Sequence, residues 1–297
     1  MAKQFLDKDF LLESMPACTL YHEYAAPMPI FDYHCHIPPS DILTDRQFCN
    51  LTEIWLGGDH YKWRVMRACG VDERFITGDA PAEEKFEAWA RVVPRIVRNP
   101  LYQWTHLELR RVFGVDELLN PDTAREIYSH CTSLLGKKEF SARSIIRKFR
   151  VEALCTTDDP SSTLEEHRKI RESGFETIVA PAFRPDRALE GHLPERFNPW
   201  LERLAELAEV RIDSFGRFME CLWKRHQFFH DNGCRLSDYG IETCYASDWS
   251  SPEVEESFTL LRSGRALSGE ALLRFRSAVL YELLSMDASQ GWTQQLH

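Results

Sequence analysis

Two histidines one residue apart, His34 and His36, close the stretch Pro29-Ile30-Phe31-Asp32-Tyr33-His34-Cys35-His36. Residues i and i+2 of a β-strand share a face, so a short buried strand here would present two imidazoles side by side. Imidazole nitrogen is a ready ligand for divalent ions, and the pair would supply half of an ordinary four-ligand site. Pro38 and Pro39 end the strand just behind them, which predicts that both rings stand at its C-terminal mouth. Parallel barrels carry their chemistry at that mouth. Two satisfied structural histidines explain the same spacing, and spacing alone does not choose.

Four further clusters carry reactive groups. Gly57-Gly58-Asp59-His60-Tyr61-Lys62-Trp63-Arg64 is dense in donors and would suit a lid over a strand-end site; a helix start capped by Asp59 explains it as well. Asn99 to His106, followed by Glu108, Arg110 and Arg111, has the aromatic density of a core and reads as structural. Thr156-Thr157-Asp158-Asp159-Pro160 ends an apolar run, where Asp158 can orient a histidine or bind sugar hydroxyls, or simply serve a solvated turn. Phe183-Arg184-Pro185-Asp186 puts a guanidinium just past a buried strand, where it needs a carboxylate: either an acidic substrate or an ion pair with Asp186 or Asp158.

The elements that would position these groups follow from periodicity. Strands are predicted at 29–36, 151–156, 176–181, 234–238 and 292–297. Between the first two, residues 40–150 read as helix throughout, with Leu51, Ile54 and Trp55 on one face and Phe86, Trp89 and Val93 on another. Later strands alternate with helices, expected to start at Ser161 or Ser162, at Asn198-Pro199, at Asp213, at Ser251-Pro252 and at Ser268. Such alternation implies right-handed crossovers and a parallel sheet covered by helices. Chemistry-bearing residues recur just past strand ends and no glycine-rich phosphate loop follows the first strand, which favours a TIM-like barrel over a doubly wound sheet.

Composition narrows the partners. The 297 residues hold 36 basic and 46 acidic side chains, a net charge of −10 that argues against nucleic acid and anionic membranes, both of which attract a basic face. No apolar run reaches the ~20 residues of a membrane span and no signal peptide opens the chain, so the expected location is cytoplasmic. Nine cysteines without a Cys-x-x-Cys pair read as reduced thiols, which excludes zinc-knuckle and thioredoxin-like sites.

Taken together, Asp32-Tyr33-His34-Cys35-His36, Gly58 to Arg64, Asn99 to Arg111, Thr156 to Pro160 and Phe183 to Asp186 resemble uronate isomerase (glucuronate isomerase), in the family's order and along essentially the whole length. That family is a divergent branch of the amidohydrolase superfamily, a distorted (β/α)8 barrel with a large helical insertion after strand one. The resemblance implies aldose–ketose interconversion of D-glucuronate with D-fructuronate and of D-galacturonate with D-tagaturonate, by proton transfer between C2 and C1. It makes His34 and His36 metal ligands, with zinc the first expectation and manganese the alternative. His60 and Tyr61 become catalytic proton-handling groups, and Arg184, Asp158 and Asp238 the substrate-binding set. The partner is a small hexuronate, and a homo-oligomer is left open.

Two departures from the family pattern stand out. Tyr239 occupies a position where histidine is expected, and the metal-binding aspartate expected at the end of strand eight has no counterpart up to His297. With five strands against the eight of a closed barrel, the expectation is a chain covering the first five. It would divide into a lead-in and first strand (1–39), a helical insertion (40–150) and strands two to five (151–297). The alternatives are a metal-dependent hydrolase of the same superfamily and an inactive sugar-acid-binding fragment.

Overall fold

The structure is a computed structural model describing residues 5–297. Helices α1 (Met15–Thr19), α2 (Pro39–Leu43), α3 (Leu51–Leu56), α4 (His60–Ala68), α5 (Ala82–Val92), α6 (Pro100–Phe113), α7 (Ala124–Leu135) and α8 (Ala142–Lys148) occupy the first half, interrupted by strand β1 (Ile30–Asp32). The second half runs β2 (Val151–Asp158), α9 (Glu165–Glu172), β3 (Ile178–Phe183), α10 (Pro194–Ala208), α11 (Phe215–Asp231), β4 (Leu236–Tyr239), α12 (Ser251–Arg262), α13 (Gly269–Gln290) and β5 (Thr293–Leu296). The chain divides into a helical unit, Met1–Ile30 with Thr44–Val151, and a sheet unit, Phe31–Leu43 with Glu152–His297.

In the helical unit, local sequence sets the helix ends. Asn50 caps α3 by accepting the Glu53 N–H at 2.9 Å, Asn99 caps α6 ahead of Pro100, and Gly114 closes α6 in the left-handed region at φ 71°. The predicted faces meet inside: Leu51, Trp55, Phe86, Trp89 and Val93 are buried together. Each such side chain contributes roughly 1.5–3 kcal/mol by leaving water. Ile54 lies at the edge of this core, partly buried.

The sheet unit carries five strands in the order β1-β2-β3-β4-β5. β2 pairs parallel with β3 from Ala153↔Ile178 to Asp158↔Phe183, β3 with β4 at Phe183↔Ser237, and β4 with β5 from Leu236↔Thr293 to Tyr239↔Leu296. Ile30 N–H donates to Arg150 O and Cys35 N–H to Cys155 O, both at 3.0 Å, so the first pair also advances in parallel. Strand spacing of about 4.8 Å would separate β1 and β5 by about 19 Å in a flat sheet. Instead Gln295 Nε2 donates to Tyr33 O at 3.1 Å, so the sheet is strongly curled and its C-terminal ends converge. Phe197, Phe218, Phe258 and Phe275 pack as a buried aromatic cluster among the helices behind it, and Phe183 at the end of β3 meets Phe229 of α11 in the same core. Among the described residues no helix is long and apolar enough to cross a membrane.

Several boundaries differ from expectation. β1 stops at Asp32, short of both histidines, and is not buried: Ile30 and Phe31 are 44% and 62% exposed, as befits a strand paired on one side only. α9 begins at Glu165 after Leu164 at φ 53°, because Ser161 and Ser162 are used in turns; Asp159 Oδ1 accepts the Ser161 N–H at 2.8 Å. α10 starts at Pro194, and Asn198 instead ties to Leu261 O and Arg262 from inside that helix. Ser214 and Ser250, one residue from the expected positions, cap α11 and α12.

Candidate metal centre

The segment after β1 is still anchored like a strand. Cys35 N–H donates to Cys155 O, and Thr157 Oγ1 donates to Cys35 O at 2.9 Å. Cys35 is thereby buried, and burial pushes its thiol up to about 12. The flanking rings share the other side, as the i/i+2 rule requires: His34 Nε2 and His36 Nε2 lie 3.1 Å apart. Loss of regular strand geometry past Asp32 therefore does not separate the pair.

The mouth of β4 supplies a carboxylate. Asp238 is wholly buried; its Oδ2 accepts from Arg184 Nη1 at 2.9 Å and lies 3.4 Å from His34 Nδ1. Its Oδ1 lies 2.8 Å from His297 Nδ1, yet makes no aligned hydrogen bond. His297 follows β5, where its N–H donates to Tyr239 O at 3.0 Å, and its ring centroid is 4.9 Å from that of His34. Ligand atoms of His34, Asp238 and His297 all fall within 4.8 Å of one another.

Arg184 stands at the rim. Its N–H at Nε donates to Asp186 Oδ2 at 2.7 Å, so both Asp186 and Asp238 hold it. Burial works against its charge, but the two carboxylates outweigh burial and keep the guanidinium above its usual value. Of the two explanations for an arginine past β3, the ion pair is thus present, with Asp186 but with Asp238 in place of Asp158. Asp158 ends β2 and is nearly buried, accepting from Thr156 Oγ1 at 2.6 Å; burial raises its carboxyl to about 6. The same hydroxyl meets His167 Nε2 at 2.7 Å, and burial lowers that ring to about 4.

His34, His36, Arg184 and Asp238 thus belong to the curled sheet's C-terminal mouth, whereas Asp158, expected in the substrate-binding set, turns its carboxylate to the opposite face of the sheet, in register with Phe183 and buried beside Thr156 and His167 of α9. His60 and Tyr61 belong to the helical unit. There Asp59 caps α4 by accepting the Tyr61 and Lys62 N–H groups at 3.0 and 3.1 Å, while Tyr61 remains 58% exposed with its ring 4.3 Å from His60. Tyr239, flagged where histidine was expected, turns to the opposite face of β4 and is fully buried. His297 escaped sequence reasoning; its only signal was its place directly after a strand.

Imidazole nitrogens converging beside a buried carboxylate oxygen that lacks a hydrogen-bond partner form a donor set suited to a divalent transition ion. The donors are N and O without thiolate, which fits zinc or manganese and does not fit an iron–sulfur cluster.

Residues 2–297 match the family described as glucuronate isomerase. Uronate isomerases of Phocaeicola vulgatus and Bacteroides fragilis are 51% and 50% identical over 296 residues, covering 99% of this chain and 63% of each relative. The crystal structure of uronate isomerase from Thermotoga maritima is similar with a TM-score of 0.93 and 33% identity, over 99% of this chain and 64% of that one. Glucuronate isomerase from Caulobacter crescentus gives a TM-score of 0.89 at 29% identity, over 98% and 63%. This chain therefore spans about 63% of the length of the curated relatives it matches, and with residues 2–297 matched by the family and about half of its residues identical to those relatives, the chain belongs to the glucuronate isomerase family.

Proposed function

We propose that this protein isomerises hexuronates, D-glucuronate to D-fructuronate and D-galacturonate to D-tagaturonate, on a (β/α)8 barrel to which the curled sheet contributes. The observation that carries the reading is Asp238: a buried carboxylate with an unsatisfied oxygen, between His34 and His297. His34 and His36 would hold the ion, with Asp238 and His297 offered beside them. That moves Asp238 from the substrate set, where the family resemblance put it, to the metal set. Zinc suits these donors best and manganese is the alternative.

Conversion of aldose to ketose removes the proton on C2, passes through an enediolate and adds a proton at C1. A divalent ion, when bound, supplies charge stabilisation for oxygen as that proton leaves. The chain's own groups do the rest. Arg184 binds the uronate carboxylate through the N–H groups left free by Asp186 and Asp238, two of its nitrogens being already engaged. His60 and Tyr61, from the helical insertion at 40–150, hold and pass the protons. The arginine aimed at an acid favours this reading over a hydrolase of the same superfamily. A cytoplasmic location is supported by nine cysteines that are all free thiols.

Metal content and turnover test the reading together. The purified protein should convert D-glucuronate to a ketose, lose that activity to a chelator and regain it with Zn2+ or Mn2+. His36→Ala should retain no stoichiometric metal by elemental analysis and show no turnover. Full metal content in His36→Ala would overturn the ligand assignment.

A further inference from the structure

β4 is buried on both faces, and its two faces carry different chemistry. Asp238 points to the candidate metal centre. Its neighbours Ser237 and Tyr239 point the other way, by strand alternation, and both reach one carboxylate on α13. Ser237 Oγ donates to Asp287 Oδ2 at 2.6 Å and Tyr239 Oη donates to the same oxygen at 2.7 Å. His226 Nε2, from α11, lies 3.0 Å from Asp287 Oδ1. All four residues are fully buried. His226 Nδ1 has no partner among the described residues, so Nε2 is the nitrogen whose N–H donates to Asp287.

The same hub reaches β5. Trp292, next before that strand, stacks on His226, the ring that meets the Asp287 carboxylate, with ring centroids 3.7 Å apart; its backbone N–H also donates to the main-chain carbonyl of residue 287 at 2.9 Å, a bond that does not depend on the side chain there. The Asp287 carboxylate is therefore tied directly to the strand that delivers Asp238 and, through the His226 ring, to the residue just before the strand that delivers His297. Proton transfer at the mouth makes no use of a carboxylate on the outer face of the sheet. Apolar packing would hold the helices to β4 at least as firmly, since a buried charged group is weak evidence for stability. What directional hydrogen bonds to positions 237 and 239 add is a fixed rotation of the strand, and with it the aim of residue 238.

We infer that Asp287 is a positioning residue for the metal centre, acting through Ser237 and Tyr239 to fix where Asp238 points and, through His226 stacked on Trp292, where the strand that delivers His297 begins. The inference rests on the reading that those side chains help hold an ion. It is tested by zinc affinity, measured by competition with a chromophoric chelator, alongside thermal unfolding of the apo-protein. Asp287→Asn should weaken zinc binding by about tenfold or more, the usual size of an outer-shell effect. Tyr239→Phe, which removes one donor of three, should weaken it less. Phe258→Leu, a cavity in the same core away from the hub, should lower the melting temperature and leave zinc affinity within about twofold. A folded Asp287→Asn protein binding zinc within about twofold of the parent would overturn the inference; should that variant not fold, Tyr239→Phe and Ser237→Ala decide on the same criterion. A parent protein that binds neither zinc nor manganese would overturn the metal reading itself, and this inference with it.

Discussion

Asp238 and Asp287 are both wholly buried carboxylates with imidazole close by, reached from opposite faces of one strand. Asp287 has both oxygens engaged, Oδ2 by Ser237 and Tyr239 and Oδ1 by His226, three donors for about four sites. Asp238 accepts from Arg184 and leaves its other oxygen without an aligned donor. An ionised carboxylate offers about four lone-pair sites, and burial makes each unfilled one costly. The group with both oxygens engaged is therefore scaffolding, and the unsaturated one marks a place built for something else. Residue type and burial are the same in both; only the accounting of hydrogen bonds tells them apart.

Stability measurements can break that contrast. Asp287→Ala strands three buried donors and should destabilise the protein by about 3–5 kcal/mol in urea unfolding. Asp238→Ala removes a group that is itself poorly satisfied, so unfolding free energy should change by no more than about 1 kcal/mol while metal retention disappears. Equal losses from the two substitutions would show that the faces of β4 do not differ in the way their hydrogen bonds imply.

A third carboxylate–imidazole pair lies between these extremes. Thr156 Oγ1 joins Asp158, raised by burial to about 6, with His167, lowered by burial to about 4. For Asp158 the folded protein favours the protonated form, so its stabilising contribution is complete at low pH and is lost as pH rises through about 6. For His167 the folded protein favours the neutral ring, so its contribution is complete above 6.5 and is lost as pH falls through about 4. The two effects oppose each other over that window, each worth about 3 kcal/mol. Asp158→Asn should unmask the histidine: unfolding free energy should then fall by about 3 kcal/mol between pH 6.5 and about 4. A flat profile in Asp158→Asn would show that His167 is not held neutral.

These clusters also mark how far the sequence was legible. All five predicted strands are present, because runs such as Ile178–Phe183 have no helical period and end in turn chemistry. The helical stretch after the first strand followed from its 3.6-residue faces. Helix starts were less secure: Asn198-Pro199 looks like a cap, yet Asn198 is claimed by Leu261 O, a partner 63 residues away that no local pattern reveals. Asp238 was visible as a strand-end acid, but its pairing with His34 and His297 required three strands to converge. Asp287 was invisible, since an acid near the end of a long helix is ordinary and His226 lies 61 residues earlier. Chemistry read from one strand end was legible; chemistry made by curling the sheet was not.

The gentlest probe of the unsaturated face is Gly240. Its N–H donates to Asp186 Oδ1 at 3.0 Å, and a Cβ there would stand 2.6 Å from Arg184 Nη2 and 3.0 Å from Asp186 Oδ2. Both obstacles are ends of flexible side chains, so Gly240→Ala should move Arg184 and leave the backbone in place. Stability should change by less than about 0.5 kcal/mol, as for other substitutions outside the core. The Michaelis constant for D-glucuronate should nevertheless rise, because the guanidinium that would take its carboxylate is the group displaced, while zinc affinity should change less, because the histidines are untouched and Asp238 loses only its arginine partner. A Gly240→Ala protein with unchanged KM would mean that Arg184 serves Asp238 alone, and the arginine would then belong to the scaffold side of the comparison.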